Sequence, residues 1–118
     1  MNAVGRHLLL ELKQCDKGVL DDLSFLREVL LAAAKAAGAT VIGEAFHQFN
    51  PHGVSGVVLI AESHLTIHTW PEYRYAAVDF FSCGSSVVPE KAAEMLIEKL
   101  GSKDYSSMMI PRGVLEDD

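Results

Sequence analysis

Hydrophobic and polar positions along this chain follow two rhythms, one of period two and one of three to four. The run RHLLLEL at 6–12 reads as an opening strand. From Asp22 to Ala37 the apolar positions Leu23, Leu26, Leu30, Ala33 and Ala37 step by three and four, predicting a helix with one buried stripe. Gly38 stands where a left-handed residue would end that helix. Residues 40–49 (TVIGEAFHQF) predict a second strand, and Asn50-Pro51-His52-Gly53 is a turn by its chemistry. The β-branched run VSGVVLIAE predicts a third strand. HLTIHTW then alternates, with Leu65, Ile67 and Thr69 on one face and His64, Thr66, His68 and Trp70 on the other. Pro71 breaks the run and YAAVDFFSC resumes it. Pro89 suits the first position of a helix over 89–100 that buries Ala93, Leu96, Ile97 and Leu100, with Gly101 to end it. A short strand at about 105–110 is expected next, then Pro111-Arg112-Gly113 and a frayed acidic tail, Glu116-Asp117-Asp118.

The order β-α-β-β-β-β-α-β joins runs of strands by short turns. This favours an antiparallel sheet with both helices on one face, a two-layer α/β sandwich of the α+β kind. A chain of 118 residues suits one domain, and no repeat, linker or low-complexity stretch divides it.

Composition narrows the partners. A formal net charge of −6 argues against nucleic acid and fits a small cationic or zwitterionic substrate better. No run approaches the roughly 20 apolar residues that cross a bilayer, so no membrane is expected. The first apolar run is too short for a signal sequence and is followed at once by Glu11 and Lys13. Cys15 and Cys83 form no Cys-x-x-Cys pair, and the expected setting is the cytosol, with free thiols.

The densest polar grouping lies in AESHLTIHTWPEY and FFSCG, and several chemistries compete for it. His64 and His68 would bind one metal ion from a helix, but on a strand four residues span roughly 13 Å, so no metal is expected. Gly53-Val54-Ser55-Gly56-Val57 starts like a hydrolase nucleophile elbow, yet its last position is valine and a strand follows, which is the wrong context. Cys83 ends a strand before Gly84, where a thiol could reach a cleft with His68; equally, a cysteine is often a small buried hydrophobe. Ser63 could attack the carbonyl of its own preceding peptide if that peptide is strained and an oxyanion donor is near. Residue types alone leave these last two readings open.

Three blocks, FHQFNPHGVSGVV (46–58), ESHLTIHTWPEY (62–73) and YAAVDFFSCG (75–84), resemble the prokaryotic S-adenosylmethionine decarboxylase proenzymes. The likeness runs from Gly5-Arg6-His7 to Arg112-Gly113. It implies self-cleavage between Glu62 and Ser63 into a β chain of 1–62 and an α chain of 63–118, with Ser63 becoming a covalent pyruvoyl cofactor. It further implies that His68 moves protons during processing, that Ser55 supports the processing intermediate, and that Cys83 protonates the substrate carbon after carbon dioxide leaves. Phe49 and Trp70 match aromatics that contact the nucleoside of the substrate S-adenosylmethionine, and Glu72 matches a carboxylate for its ribose hydroxyls. The expected product is the aminopropyl donor for spermidine synthesis. The family's site lies at or near an interface of a homodimer, where Phe49 would serve the partner's site.

Two features bear on that expectation. Strand parity sets Ser63 and His68 on opposite faces, so the backbone at 62–64 is expected to leave regular strand geometry. Arg74 stands where the resembled turn carries glycine: a left-handed arginine there would cost roughly 1 kcal/mol or more, whereas a different turn would aim Glu72 differently. The alternatives are arginine or ornithine decarboxylation on the same scaffold, or an uncleaved, inactive ligand-binding homologue.

Overall fold

The structure, a computed structural model, describes residues 2–115; the acidic tail at 116–118 lies outside the described residues. Six strands and two helices follow in the expected order: β1 (Asn2–Lys13), α1 (Leu23–Ala36), β2 (Val41–Gln48), β3 (Val54–Ile60), β4 (Ser63–Trp70), β5 (Tyr75–Cys83), α2 (Pro89–Leu100) and β6 (Asp104–Leu115). They form one sheet in the order β2-β3-β4-β5-β1-β6, antiparallel at every pairing. β1 therefore lies between β5 and β6, near one edge, although it comes first in the chain.

Local chemistry sets the helix ends. The Asp22 side chain accepts the Phe25 N–H at 3.1 Å and caps α1, and Gly38 follows with φ +85°. α1 buries Leu26, Val29, Leu30, Ala33 and Ala34, and its C-cap Ala37 is buried too. Leu23, expected in the buried stripe, is only half-buried because it sits in the first turn. Pro89 opens α2 and Gly101 closes it at φ +65°. Its buried residues are Pro89, Ala92, Leu96 and Leu100, while Ala93 and Ile97 are half-buried. The stripe is rotated toward Ala92 because α2 packs against α1 as well as the sheet.

β6 runs well past the expected 105–110. It pairs with β1 along its whole length, and Pro111 stands opposite Arg6. Proline is tolerated there because β6 is an edge strand and its outer side carries no ladder. Leu8, Leu10, Leu12, Val54, Val58, Ile60, Leu65, Ile67, Val78 and Phe80 point from the sheet toward the helices and make the core with them. Burying this layer is the main force holding sheet to helices, at about 25 cal/mol per Å² of apolar surface. Among the described residues no helix is long and apolar enough to cross a membrane. Among the described residues, no helix covers the second face of the sheet.

Candidate active site

Because both helices cover one face, alternate strand residues stand in rows across the other. One row holds Leu59, His64, Phe81, His7 and Ile110; four residues further along β4, another holds Ser55, His68, Ala77, Glu11 and Ser106. The expected functional residues sort into two groups at opposite ends of this open face.

The first group lines a cleft of about 350 Å³ and contains Phe49, Ser55, His68, Trp70 and Glu72 together with His52. Ser55 and His68 are cross-strand partners, and the Ser55 hydroxyl lies 2.8 Å from His68 Nδ1. Each aromatic is backed by another ring: His47 meets Phe49 edge-on at 4.6 Å, and Tyr75 stacks on Trp70 at 5.3 Å. Glu72 pairs with His52 Nε2 at 3.0 Å. The turn carrying His52 is pinned by the Asp21 carboxylate, which accepts the Gly53 N–H at 2.8 Å and the Gln48 amide at 2.9 Å. Gly53 is required there: it has φ +107°, and a Cβ would come within 3.2 Å of the Thr69 carbonyl. The next turn ends on Arg74 at φ +53°, so of the two alternatives for that position the left-handed one is present. Its strain is offset locally, because the Arg74 guanidinium donates to the Cys15 carbonyl at 2.9 Å and the Cys15 N–H donates back to the Arg74 carbonyl at 3.0 Å. Burial pushes the Cys15 thiol above its ordinary pKa, as suits a filler rather than a nucleophile.

The second group is Glu62, Ser63 and Cys83. Ile60 pairs with Ser63, so Ala61 and Glu62 form a two-residue hairpin connection. Such connections favour turns with positive φ at one or both central residues, which is why glycine and asparagine dominate them. Here neither central residue has positive φ, and the departure falls on Ser63 at φ +152°, a conformation L residues rarely adopt. The expected irregularity at 62–64 is this turn. Its effect is to bring the Ser63 hydroxyl to 3.3 Å from His64 Nδ1, a contact that successive residues of a regular strand do not make. The Glu62 carbonyl accepts the Cys83 N–H at 3.0 Å, so the carbonyl next to Ser63 is already polarised by a backbone donor. Cys83 itself is exposed at the end of β5 and unpaired.

The two groups do not meet within one chain. Ser63 and His68 are five positions apart on β4, about 16 Å at strand spacing. Cys83 and His68 are not neighbours either, since His68 stands opposite Ala77, six positions earlier on β5. A thiol working beside His68 of the same chain, which strand order had allowed, is ruled out by this register. Three further groups escaped the sequence reading. Alternation assigned His64 to the face opposite Ser63; Ser82, the cross-strand partner of Ser63, is buried with no hydrogen-bond partner for its hydroxyl; His52 looked like turn material. Only an explicit turn type for Ala61-Glu62 would have exposed the first.

Residues 6–113 match the family described as S-adenosylmethionine decarboxylase. The chain is 54% identical over 115 residues to a protein of Thermodesulfovibrio yellowstonii named S-adenosylmethionine decarboxylase proenzyme, covering 98% of this chain and 85% of that one. It is 50% identical over 116 residues to a protein of the same name from Caldanaerobacter subterraneus, covering 98% and 94%. A crystal structure of the adenosylmethionine decarboxylase from Aquifex aeolicus superposes with a TM-score of 0.92 at 37% identity, covering 100% of this chain and 98% of that one.

Proposed function

This chain belongs to the S-adenosylmethionine decarboxylase family, and from that premise we propose that it is a self-cleaving proenzyme that decarboxylates S-adenosylmethionine. The product is the aminopropyl donor for spermidine synthesis. Cleavage between Glu62 and Ser63 gives chains of 1–62 and 63–118, and Ser63 is converted to the pyruvoyl cofactor. The observation that carries this reading is the geometry at the cleavage point. Ser63 sits at φ +152° with its hydroxyl turned out of strand register, and the carbonyl it must attack holds the Cys83 N–H at 3.0 Å. A strained peptide and a pre-positioned oxyanion donor are what an acyl shift from nitrogen to oxygen needs. The residues therefore suit the group.

Once formed, the pyruvoyl group would supply its ketone as the electrophile for the substrate amine and its adjacent amide carbonyl as the sink for the electrons released with carbon dioxide. The protein's own residues do the rest. Cys83, exposed at the end of β5 beside residue 63, returns a proton to the substrate carbon. Delivery to that carbon protects the enzyme, because protonation elsewhere would transfer the amine to the cofactor. Phe49 and Trp70 offer ring faces to the nucleoside and the sulfonium, a contact of about 0.5–2 kcal/mol. Glu72, oriented by His52, accepts from the ribose hydroxyls.

Such a site requires two copies of the chain. With Ser63 and Cys83 at one end of the open face and Ser55, His68 and Glu72 at the other, two sheets stacked face to face about a two-fold axis lay each group over its complement. The composition of the open face supports this homodimer. Leu59 is 47% exposed and Met108 61% exposed, large apolar side chains that a second copy would cover. The cytosol is the setting we assign, in keeping with unpaired Cys15 and Cys83.

Release of labelled carbon dioxide from carboxyl-labelled S-adenosylmethionine, arginine and ornithine tests the substrate. Release from the sulfonium alone is expected. Release from arginine or ornithine but not from the sulfonium overturns the assignment.

A further inference from the structure

We propose that His64 is the base that takes the Ser63 hydroxyl proton in the first step of self-cleavage, an inference that rests on the proposed function. His64 Nδ1 lies 3.3 Å from Ser63 Oγ. His68, the imidazole expected from the family resemblance, is about 16 Å along the same strand and is engaged by Ser55 at 2.8 Å. The Glu62 carboxylate is turned elsewhere, accepting the Thr40 N–H at 3.2 Å. Among the described residues His64 is the one titratable side chain hydrogen-bonded to the Ser63 hydroxyl.

A second observation points the same way. In a regular strand the Ser63 side chain would share a face with that of Ser82, its cross-strand partner, and paired hydroxyls readily hydrogen-bond across a sheet. Ser82 is fully buried, yet its hydroxyl has no partner. The chain thus gives up a buried hydrogen bond and adopts a rare φ, and what it gains at Ser63 is the contact with His64. The imidazole is itself held, with its ring edge-on to Phe81 at 5.8 Å and to His7 at 6.4 Å.

The step balances without a co-reactant. As Ser63 Oγ bonds the Glu62 carbonyl carbon, its proton passes to His64 Nδ1, and the Cys83 N–H holds the developing oxyanion. Collapse breaks the bond from that carbon to the Ser63 nitrogen, and the nitrogen takes the proton back from the imidazole. The peptide has become an ester. Loss of the Ser63 Cα proton then breaks Cβ–Oγ and frees Glu62 as a carboxylate; a second imidazole, such as that of a stacked copy, serves this later step.

The test follows cleavage of freshly synthesised chain by gel and intact mass in wild type, His64→Ala and His64→Asn, with folding checked by circular dichroism. Asparagine keeps an acceptor near the Nδ1 position but cannot carry the proton. Both variants are expected to cleave about 10²–10⁴-fold more slowly than wild type, the usual contribution of a general base. Added imidazole is expected to restore His64→Ala, and hydroxylamine, which cuts esters, to release no 1–62 fragment from the uncut variants. Cleavage of either variant at the wild-type rate overturns the inference, as does release of 1–62 by hydroxylamine. Should His64→Ala not fold, His64→Asn decides by the same two readouts. A wild-type chain that stays uncut overturns the proposed function instead, and this inference with it.

Discussion

Ser63 and His68 stand on one strand at opposite ends of the open face, five positions and about 16 Å apart. Any role for His68 at Ser63 must therefore be played between chains. Co-assembly of Ser63→Ala with His68→Ala chains is the direct check. Neither variant should cleave well alone, whereas mixed dimers join an intact Ser63 to an intact His68. About half of the His68→Ala chains should then be cut after random pairing at equal amounts. Cutting that never exceeds that of the His68→Ala protein alone would show that the two residues act within one chain or not together.

Glu72 and His52 are paired at 3.0 Å in the cleft that also holds Phe49 and Trp70. A hydrogen bond to a charged group is worth about 1.5–3 kcal/mol, so Glu72→Gln should raise KM for S-adenosylmethionine about 10–100-fold. Cleavage at Glu62–Ser63 should continue, because Glu72 is assigned to the ribose hydroxyls and takes no part in the acyl shift. Steady-state kinetics on fully cleaved protein checks the first part and intact mass the second. An unchanged KM would remove Glu72 from the binding site.

Ser82 carries a buried hydroxyl without a partner. Replacing such a group with an apolar one of similar shape should stabilise the uncut chain, by about 1 kcal/mol for Ser82→Ala. The comparison belongs in a Ser63→Ala background, where cleavage cannot intervene, and denaturant unfolding reads it. A loss of stability would mean that the hydroxyl is satisfied in solution.

Tyr75 donates to the Glu11 carboxylate at 2.6 Å. Burial first, and then this hydrogen bond, push its phenol up to about 12. The folded chain therefore holds that proton more tightly than the unfolded chain, whose tyrosine releases it near pH 10. The resulting stability is full below about pH 10 and is lost as pH rises through about 12. Denaturant midpoints should accordingly fall more steeply above about pH 10 in wild type than in Tyr75→Phe. Parallel curves would contradict the coupling.

Much of the fold was legible because it depends on local patterns. The stepping of Leu26, Leu30 and Ala33 in α1, the alternation of Leu65 and Ile67 in β4, and Gly38 and Gly101 at the helix ends each act within a few residues. The extent of β6 was not legible, since its length is set by pairing with β1 across a separation of about a hundred positions. The left-handed φ of Arg74 was one of two alternatives the sequence left open; the Cys15 contacts that offset it were not legible, because they join residues far apart in sequence. At the site, parity would have set Ser63 and His68 on opposite faces of a regular strand and so required an irregular backbone at 62–64; that irregularity is present at Ser63, while what separates the two residues is distance along β4. The same parity hid His64, because alternation holds only while the strand is regular, and the break falls on Ser63 itself.

Intact mass of the purified, folded protein bears most directly on the central claim. Two species are expected, residues 1–62 and residues 63–118, the second lighter by one ammonia than a fragment beginning with serine. A single uncut chain, or a second fragment that still begins with Ser63 as serine, would contradict the account.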